Sequence, residues 1–175
     1  MTNEELRQLN KSRKIYQIAW VTRDLEKAMQ AWIDNLGIGP WTVLSFTEQS
    51  VKGLKVAGKP VEEPFKFLIA ISWIGDMQLE IIQPVYGPTI YEDFLRRKGE
   101  GLHHIKEQIA DDKMAEVVAN YRGKGINVTQ TGQFETDFHF YLDTEPKVDF
   151  IYELGNCPIL HLRPDQFHMY PPETA

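Results

Sequence analysis

The chain repeats one plan at an offset of 87 residues, and that repeat limits its fold more tightly than any other feature. Gln17-Ile18-Ala19 falls on His104-Ile105-Lys106, Asp24 on Asp111 and Ala28 on Ala115, and one further residue brings Gly37 onto Gly125. Around these anchors each half reads as one strand, one helix and three strands. In the first half the strands are 15–21, 41–46, 65–74 and 77–83, with a helix after Asp24. In the second they are 102–109, 126–131, 137–142 and 148–154, with a helix after Asp111 and Asp112. Such a β-α-β-β-β unit leaves a curved sheet whose concave face is uncovered, and a second copy beside it supplies the cover. The expected class is therefore α+β. Modules over 15–98 and 99–155 would form one curved mixed sheet around a cavity, preceded by a helical extension (1–14) and followed by a tail (156–175).

The boundaries follow from local chemistry. The run Ile15-Tyr16-Gln17-Ile18-Ala19-Trp20-Val21 has the β-branched and aromatic content of a buried strand, Asp24 can cap the helix behind it, and Gly37 with Gly39-Pro40 ends that helix. Gly75-Asp76 reads as a turn between two strands. Thr89 followed by Glu92 fits a capping box and predicts a short helix over 88–97. The stretch 47–64, polar and punctuated by Gly and Pro, implies no single conformation. The tail, with Pro158, Pro164, Pro171 and Pro172, is expected to be irregular and to pack across the body or a neighbouring subunit.

Four polar residues occupy equivalent places in the repeat: Gln17, Glu80, His104 and Glu153. Strand side chains alternate, so each faces away from its apolar neighbours, as in Leu79-Glu80-Ile81 and Tyr152-Glu153-Leu154. A carboxylate so placed is costly to bury unless it is paired or metal-bound. If the four strands curl around one cavity, they offer one nitrogen and three oxygen donors to a single divalent ion. That mixed set suits Co, Mn, Ni, Zn or Fe rather than a thiolate zinc site or an all-oxygen calcium cage. Each residue also has a plainer reading. His104 would be a hydrogen-bonded core histidine, Gln17 a satisfied core amide, and Glu80 and Glu153 members of ion pairs at a sheet edge.

Composition excludes several classes. The 42% hydrophobic content over 175 residues is that of an ordinary globular protein with a real core. A net charge of -6, with no large Lys/Arg cluster, argues against nucleic acid as a partner. No apolar stretch approaches the roughly 18 residues of a membrane span, and the polar start differs from a signal peptide. The expected compartment is therefore the cytoplasm, and the single cysteine, Cys157, which precludes an intrachain disulfide, agrees with a reducing environment.

From about Ile15 to Leu154 the chain resembles the vicinal oxygen chelate superfamily, which includes glyoxalase I, methylmalonyl-CoA epimerase, extradiol dioxygenases and bleomycin-resistance proteins. The resemblance is carried by Tyr16-Gln17-Ile18-Ala19-Trp20-Val21, by Leu79-Glu80-Ile81-Ile82-Gln83-Pro84 and by Gly99-Glu100-Gly101-Leu102-His103-His104-Ile105, in the right order and at suitable separations. It implies metal ligands at Gln17, Glu80, His104 and Glu153, with two octahedral positions left for a chelating carbonyl substrate whose α-proton is thereby acidified. A glutamine at the first position occurs in some glyoxalases, whereas the epimerases usually carry histidine there. The family allows a carboxylate at the place of Glu153 to leave the metal and shuttle a proton. Its epimerases also use a second glutamate from the strand before Gly75-Asp76. Counting back from Glu80 places that residue at Glu63, or at Glu62, both of which otherwise read as solvated loop charges.

Two further residues are singled out. Strand parity puts Lys106 on the face of His104, where relatives carry an apolar or small residue; it either contacts an anionic or phenolic substrate group or reaches solvent at the cavity mouth. Tyr141 belongs to a set of aromatics that are mostly core, some of which would line the cavity beside a flat substrate. The resemblance thus implies a metal-dependent epimerase or racemase acting on a small carbonyl compound, an acyl-CoA or an aromatic ketone, as a homodimer. Against an acyl-CoA, the Tyr141–Pro146 stretch lacks the His-Pro and Gly-rich sequence typical of the methylmalonyl-CoA epimerases. The alternatives are a glyoxalase-I-like lactoylglutathione lyase and a non-catalytic small-molecule-binding protein.

Overall fold

Alternation along β1 (Ile15–Val21) gives that strand two buried faces of different kinds: Gln17, Ala19 and Val21 turn one way, Ile18 and Trp20 the other. In the computed structural model, which describes residues 1–172, the first set faces the hollow of one curved, unclosed sheet and the second packs beneath a helix. That helix is α2 (Leu25–Leu36), capped by the Asp24 carboxylate accepting from Lys27 N–H and closed by Gly37 at φ 65°, a left-handed residue that glycine adopts without strain.

The first half continues through β2 (Trp41–Thr47), β3 (Val51–Val56), β4 (Lys59–Pro60), β5 (Lys66–Ile74) and β6 (Met77–Tyr86) to α3 (Ile90–Lys98). The second half runs β7 (Gly101–Gln108), α4 (Asp111–Gly123), β8 (Val128–Phe134), β9 (Asp137–Leu142), the short α5 (Glu145–Val148) and β10 (Ile151–Gly155). A last strand, β11 (Phe167–Tyr170), follows an irregular segment, and α1 (Asn3–Lys11) precedes everything with no buried residue. The strand order is β11-β2-β5-β6-β1-β7-β10-β9-β8-β3-β4. Each half has its first strand parallel to its last, β1 to β6 and β7 to β10, and the halves meet where β1 runs antiparallel to β7. This is the curved mixed sheet of an α+β protein that the repeat predicts.

Three clusters hold it. One fills the hollow, where Phe46 stacks on Phe67 at 5.1 Å, Phe134 abuts Phe46 at 4.7 Å, and Tyr91 and Phe94 of α3 close the base. Aromatic pairs of this kind contribute about 0.5–1.5 kcal/mol each beyond their burial. The other two lie on the convex side, under α2 around Trp41 and under α4 around Leu142 and Leu154.

The structure departs from the sequence reading in three places. The stretch 47–64 is ordered as the β3–β4 hairpin, turned by Ala57 and Gly58 with φ 49° and 75°, and β3 pairs with β8 of the other half. Residues 145–148 form a helical turn ended by Asp149 at φ 71°, so β10 starts at Ile151 rather than at Val148. The tail ends in a strand, β11, which pairs with β2. Among the described residues, no helix is long and apolar enough to cross a membrane.

Candidate metal centre

Strand register assembles the site as two rows across the hollow. In one, Glu80 of β6, Ala19 of β1, His104 of β7 and Ile151 of β10 lie side by side. In the other stand Gln78, Gln17, Lys106, Glu153 and, on β9, Tyr141. Ala19, the small residue between Glu80 and His104, is fully buried and leaves the space in front of it to the longer side chains.

Gln17, Glu80, His104 and Glu153 therefore converge from four strands. From His104 Nε2 it is 2.9 Å to Glu153 Oε2, 3.2 Å to Gln17 Oε1 and 3.7 Å to Glu80 Oε1. The Gln17 amide donates to Glu80 Oε2 at 2.8 Å and to Gln78 Oε1, which turns its own oxygen toward the imidazole. Glu153 Oε2 has no hydrogen-bond partner although His104 is so near, because the contact is not aligned as a hydrogen bond. Three oxygens thus gather within 3.7 Å of one imidazole nitrogen, which pairs with Gln17 Oε1 and leaves Glu153 Oε2 without a hydrogen bond, a grouping that suits a cation between them. Ligands at about 2.0–2.2 Å from one ion and at right angles stand about 3 Å apart.

His104 is oriented from behind. Its Nδ1 lies 2.8 Å from His103 Nδ1. In the tautomer that leaves the His104 Nε2 lone pair free, Nδ1–H donates to His103, an arrangement common behind metal-binding imidazoles. Burial, reinforced by His104, holds His103 well below the ordinary histidine range, so it is neutral and serves as that acceptor. His103 itself is boxed in by the rings of Phe94 and Tyr91.

Lys106 neither reaches solvent nor stands free. It is buried, with Nζ 3.1 Å from Glu153 Oε1 and 3.3 Å from both oxygens of Asp137. Burial works against its charge, but Glu153 and Asp137 outweigh it and hold the ammonium well above its ordinary value. Gly155 makes the room: a Cβ there would lie 2.2 Å from Lys106 Cε. Burial alone would raise the Glu153 carboxyl, yet Lys106 and His104 bring it down to about 2. Glu80 goes the other way, pushed up by burial, and further by Glu153, to about 7. Of the three carboxyl groups gathered here, Glu153 and Asp137 are the direct partners of the Lys106 ammonium.

Tyr141 is buried in the wall, its hydroxyl 3.0 Å from that of Tyr91 and its ring beside His104. Glu62 and Glu63 are not brought in. Both are exposed on the loop before β5, which begins only at Lys66, and the position opposite Glu80 on β5 is Ile71. Sequence reasoning missed Asp137, Gln78 and His139, all of which line the cavity. For Asp137 the available signal was Lys106, a cation on a cavity face that calls for a counter-charge.

The glyoxalase/bleomycin resistance protein/dioxygenase superfamily profile matches residues 16–141, most of the chain and all but one of the converging residues. The chain belongs to that superfamily. Members commonly bind a divalent metal; Gln17, Glu80, His104 and Glu153 have the donor types for one, although among the described residues no group of three or more His, Cys, Asp or Glu side chains is already spaced as a metal site. An uncharacterized protein of Bacillus subtilis (strain 168), YqjC, is 28% identical over 107 residues, covering 54% of this chain and 76% of its own. Among solved structures, the fold is shared with a hypothetical protein, BH1468, from Bacillus halodurans C-125 (TM-score 0.61, 16% identity, 87% of this chain and 100% of that one). It is shared also with a methylmalonyl-CoA epimerase in complex with methylmalonyl-CoA and NH4+ (TM-score 0.56, 20% identity, 81% and 92%). A Streptomyces coelicolor methylmalonyl-CoA epimerase variant in complex with 2-nitronate-propionyl-CoA gives a TM-score of 0.57 at 19% identity, again over 81% and 92%.

Proposed function

We propose that this superfamily member is a metal-dependent epimerase or racemase that labilises the α-proton of a chelated carbonyl compound. The convergence of Gln17, Glu80 and Glu153 on His104 Nε2 carries the reading. A divalent ion held by these four would polarise a carbonyl and stabilise the negative charge that develops on its oxygen.

The chain's own residues divide the remaining work. Glu153, tied to Lys106, remains ionised and is a weak base, which favours a holding role over the proton-shuttling role the family resemblance implies. Glu80, whose carboxyl burial raises to about 7 in the metal-free protein, would be the better-matched proton acceptor only while it is released from the ion, since a bound cation would draw it down. The apolar lining from Leu44, Phe67 and Ile69 excludes water from the reacting end. A cytoplasmic homodimer is part of the same proposal.

The test is metal analysis of the purified protein, followed by α-deuterium exchange in heavy water with candidate ketones and acyl thioesters. Bound metal and exchange without net product are expected. A protein that neither holds nor takes up a divalent ion would overturn the reading, and turnover of the hemithioacetal of methylglyoxal would replace it with the lyase.

A further inference from the structure

The segment between β10 and β11 crosses the open side of the hollow. It leaves Gly155 beside the candidate centre and reaches β2 at the far edge of the sheet, where Phe167 pairs opposite Leu44 and Tyr170 opposite Trp41. Both ends are fastened. At the start, Asn156 Nδ2 donates to Thr136 O at 2.9 Å while its Oδ1 accepts from Phe138 N–H at 2.9 Å, and Gln108 reaches the Asn156 and Cys157 carbonyls. At the end, the Tyr170 hydroxyl donates to Gln30 Oε1 at 2.7 Å, and Leu162 and Phe167 pack against the cluster that fills the hollow. What lies beneath is a cavity of about 350 Å³ in which Pro158, Leu160 and Leu162 of the strap face Leu44, Phe46, Phe67, Ile69, Ile71 and Phe134 of the sheet.

The polar lining is concentrated where Gln17, Glu80, Lys106 and Glu153 stand with Gln78, Asp137 and His139; Thr42 apart, the rest is largely aliphatic and aromatic. Its volume is near the bottom of the range of ligand pockets, about 300–1,000 Å³. We infer that the strap makes this a site for a compact, uncharged aromatic or branched apolar carbonyl compound, rather than for an acyl group carried on coenzyme A. The carbonyl rests on the proposed metal reading; the size and apolarity rest on the strap and walls alone. A space of this volume takes the acyl end alone, and the phosphates of a coenzyme A would gain nothing from Lys106, which is already held by Glu153 and Asp137.

Calorimetric titration of the full chain with 1-phenylpropane-1,2-dione and with propionyl-CoA, in chelator and again with one equivalent of Co(II), tests this. The dione should bind at least about tenfold more tightly than propionyl-CoA in both states. Replacing Leu160 and Leu162 by Ala together should weaken the dione about tenfold, since two apolar contacts are lost. Propionyl-CoA binding the wild-type chain as tightly as the dione would overturn the inference, as would an unchanged dione affinity in a folded double variant. The wild-type comparison stands even if the double variant does not fold. Because the readout is affinity and not proton exchange, dione selectivity in a protein that holds no metal would sink the epimerase reading alone. Exchange with a preference for propionyl-CoA would sink only the substrate class.

Discussion

Lys106 Nζ stands 3.1 Å from Glu153 Oε1, and both groups are buried. One oxygen of the candidate ligand carboxylate is thus taken by an internal cation while the other faces His104. Removing one member of a buried pair leaves the other uncompensated, at a cost of about 3–5 kcal/mol. Lys106→Met should therefore destabilise the metal-free protein by about that much in urea unfolding, and added Co(II) should restore more stability to the variant than to the wild type. Equal stability of the two metal-free proteins would show that Lys106 does not balance this site.

Gly155 is the second half of the same device. A methyl group there would sit 2.2 Å from Lys106 Cε, with the Phe138 carbonyl 3.0 Å away on another side, so the lysine rather than the methyl must move. Gly155→Ala is expected to displace the ammonium from Glu153 and Asp137 and to destabilise by an amount that overlaps the effect of Lys106→Met. A double-mutant cycle reads this directly: the paired variant should lose less than the two single losses added together. Strict additivity would place the glycine's role elsewhere.

How much of this was legible in the sequence depended on what each feature rests on. Alternation and capping are local, so β1, α2 and β7 can be read directly, and the repeat puts Gln17 and His104 on matching strands. The β3–β4 hairpin was not legible because its turn uses Ala57-Gly58, which lacks the Asn-Gly or Asp-Gly pair that marks such turns. Glu63 follows from counting back from Glu80 on the family's pattern, but the residue opposite Glu80 on β5 is Ile71, and that strand offers the cavity Phe67, Ile69 and Ile71. Asp137 could not be found by counting, since only the tertiary approach of β9 to β7 around Gly155 sets it against Lys106.

Glu80 ties stability to pH. Its folded value of about 7 is raised above the ordinary carboxylate value, first by burial, so its contribution is fully present below pH 4.5 and is lost as pH rises through 7. In chelator the protein should therefore lose stability between about pH 5 and 8, by roughly 3 kcal/mol at most from this group. Glu80→Gln removes the titrating carboxyl and keeps its shape. The variant should be flatter over that range and more stable than the wild type at pH 8, while binding Co(II) more weakly. Parallel pH profiles for the two proteins in urea unfolding would exclude Glu80 as the titrating group.

His103 touches no cavity space yet should govern metal affinity. Its Nδ1 lies 2.8 Å from His104 Nδ1, where it can accept from His104 Nδ1–H and so hold the ring in the tautomer whose Nε2 is free for a metal. Supporting hydrogen bonds of this kind are typically worth about 10–100-fold in affinity. His103→Leu keeps an apolar side chain against Phe94 and Tyr91 but offers no acceptor, whereas His103→Asn places an amide oxygen near the lost nitrogen. Co(II) titration against a competing chelator should show the leucine variant weakened by that factor and the asparagine variant recovering part of it, with circular dichroism unchanged in both. If the two variants bound Co(II) alike, the contact between the histidines would be packing alone, and the orientation of His104 would have to come from its neighbours on β1 and β10.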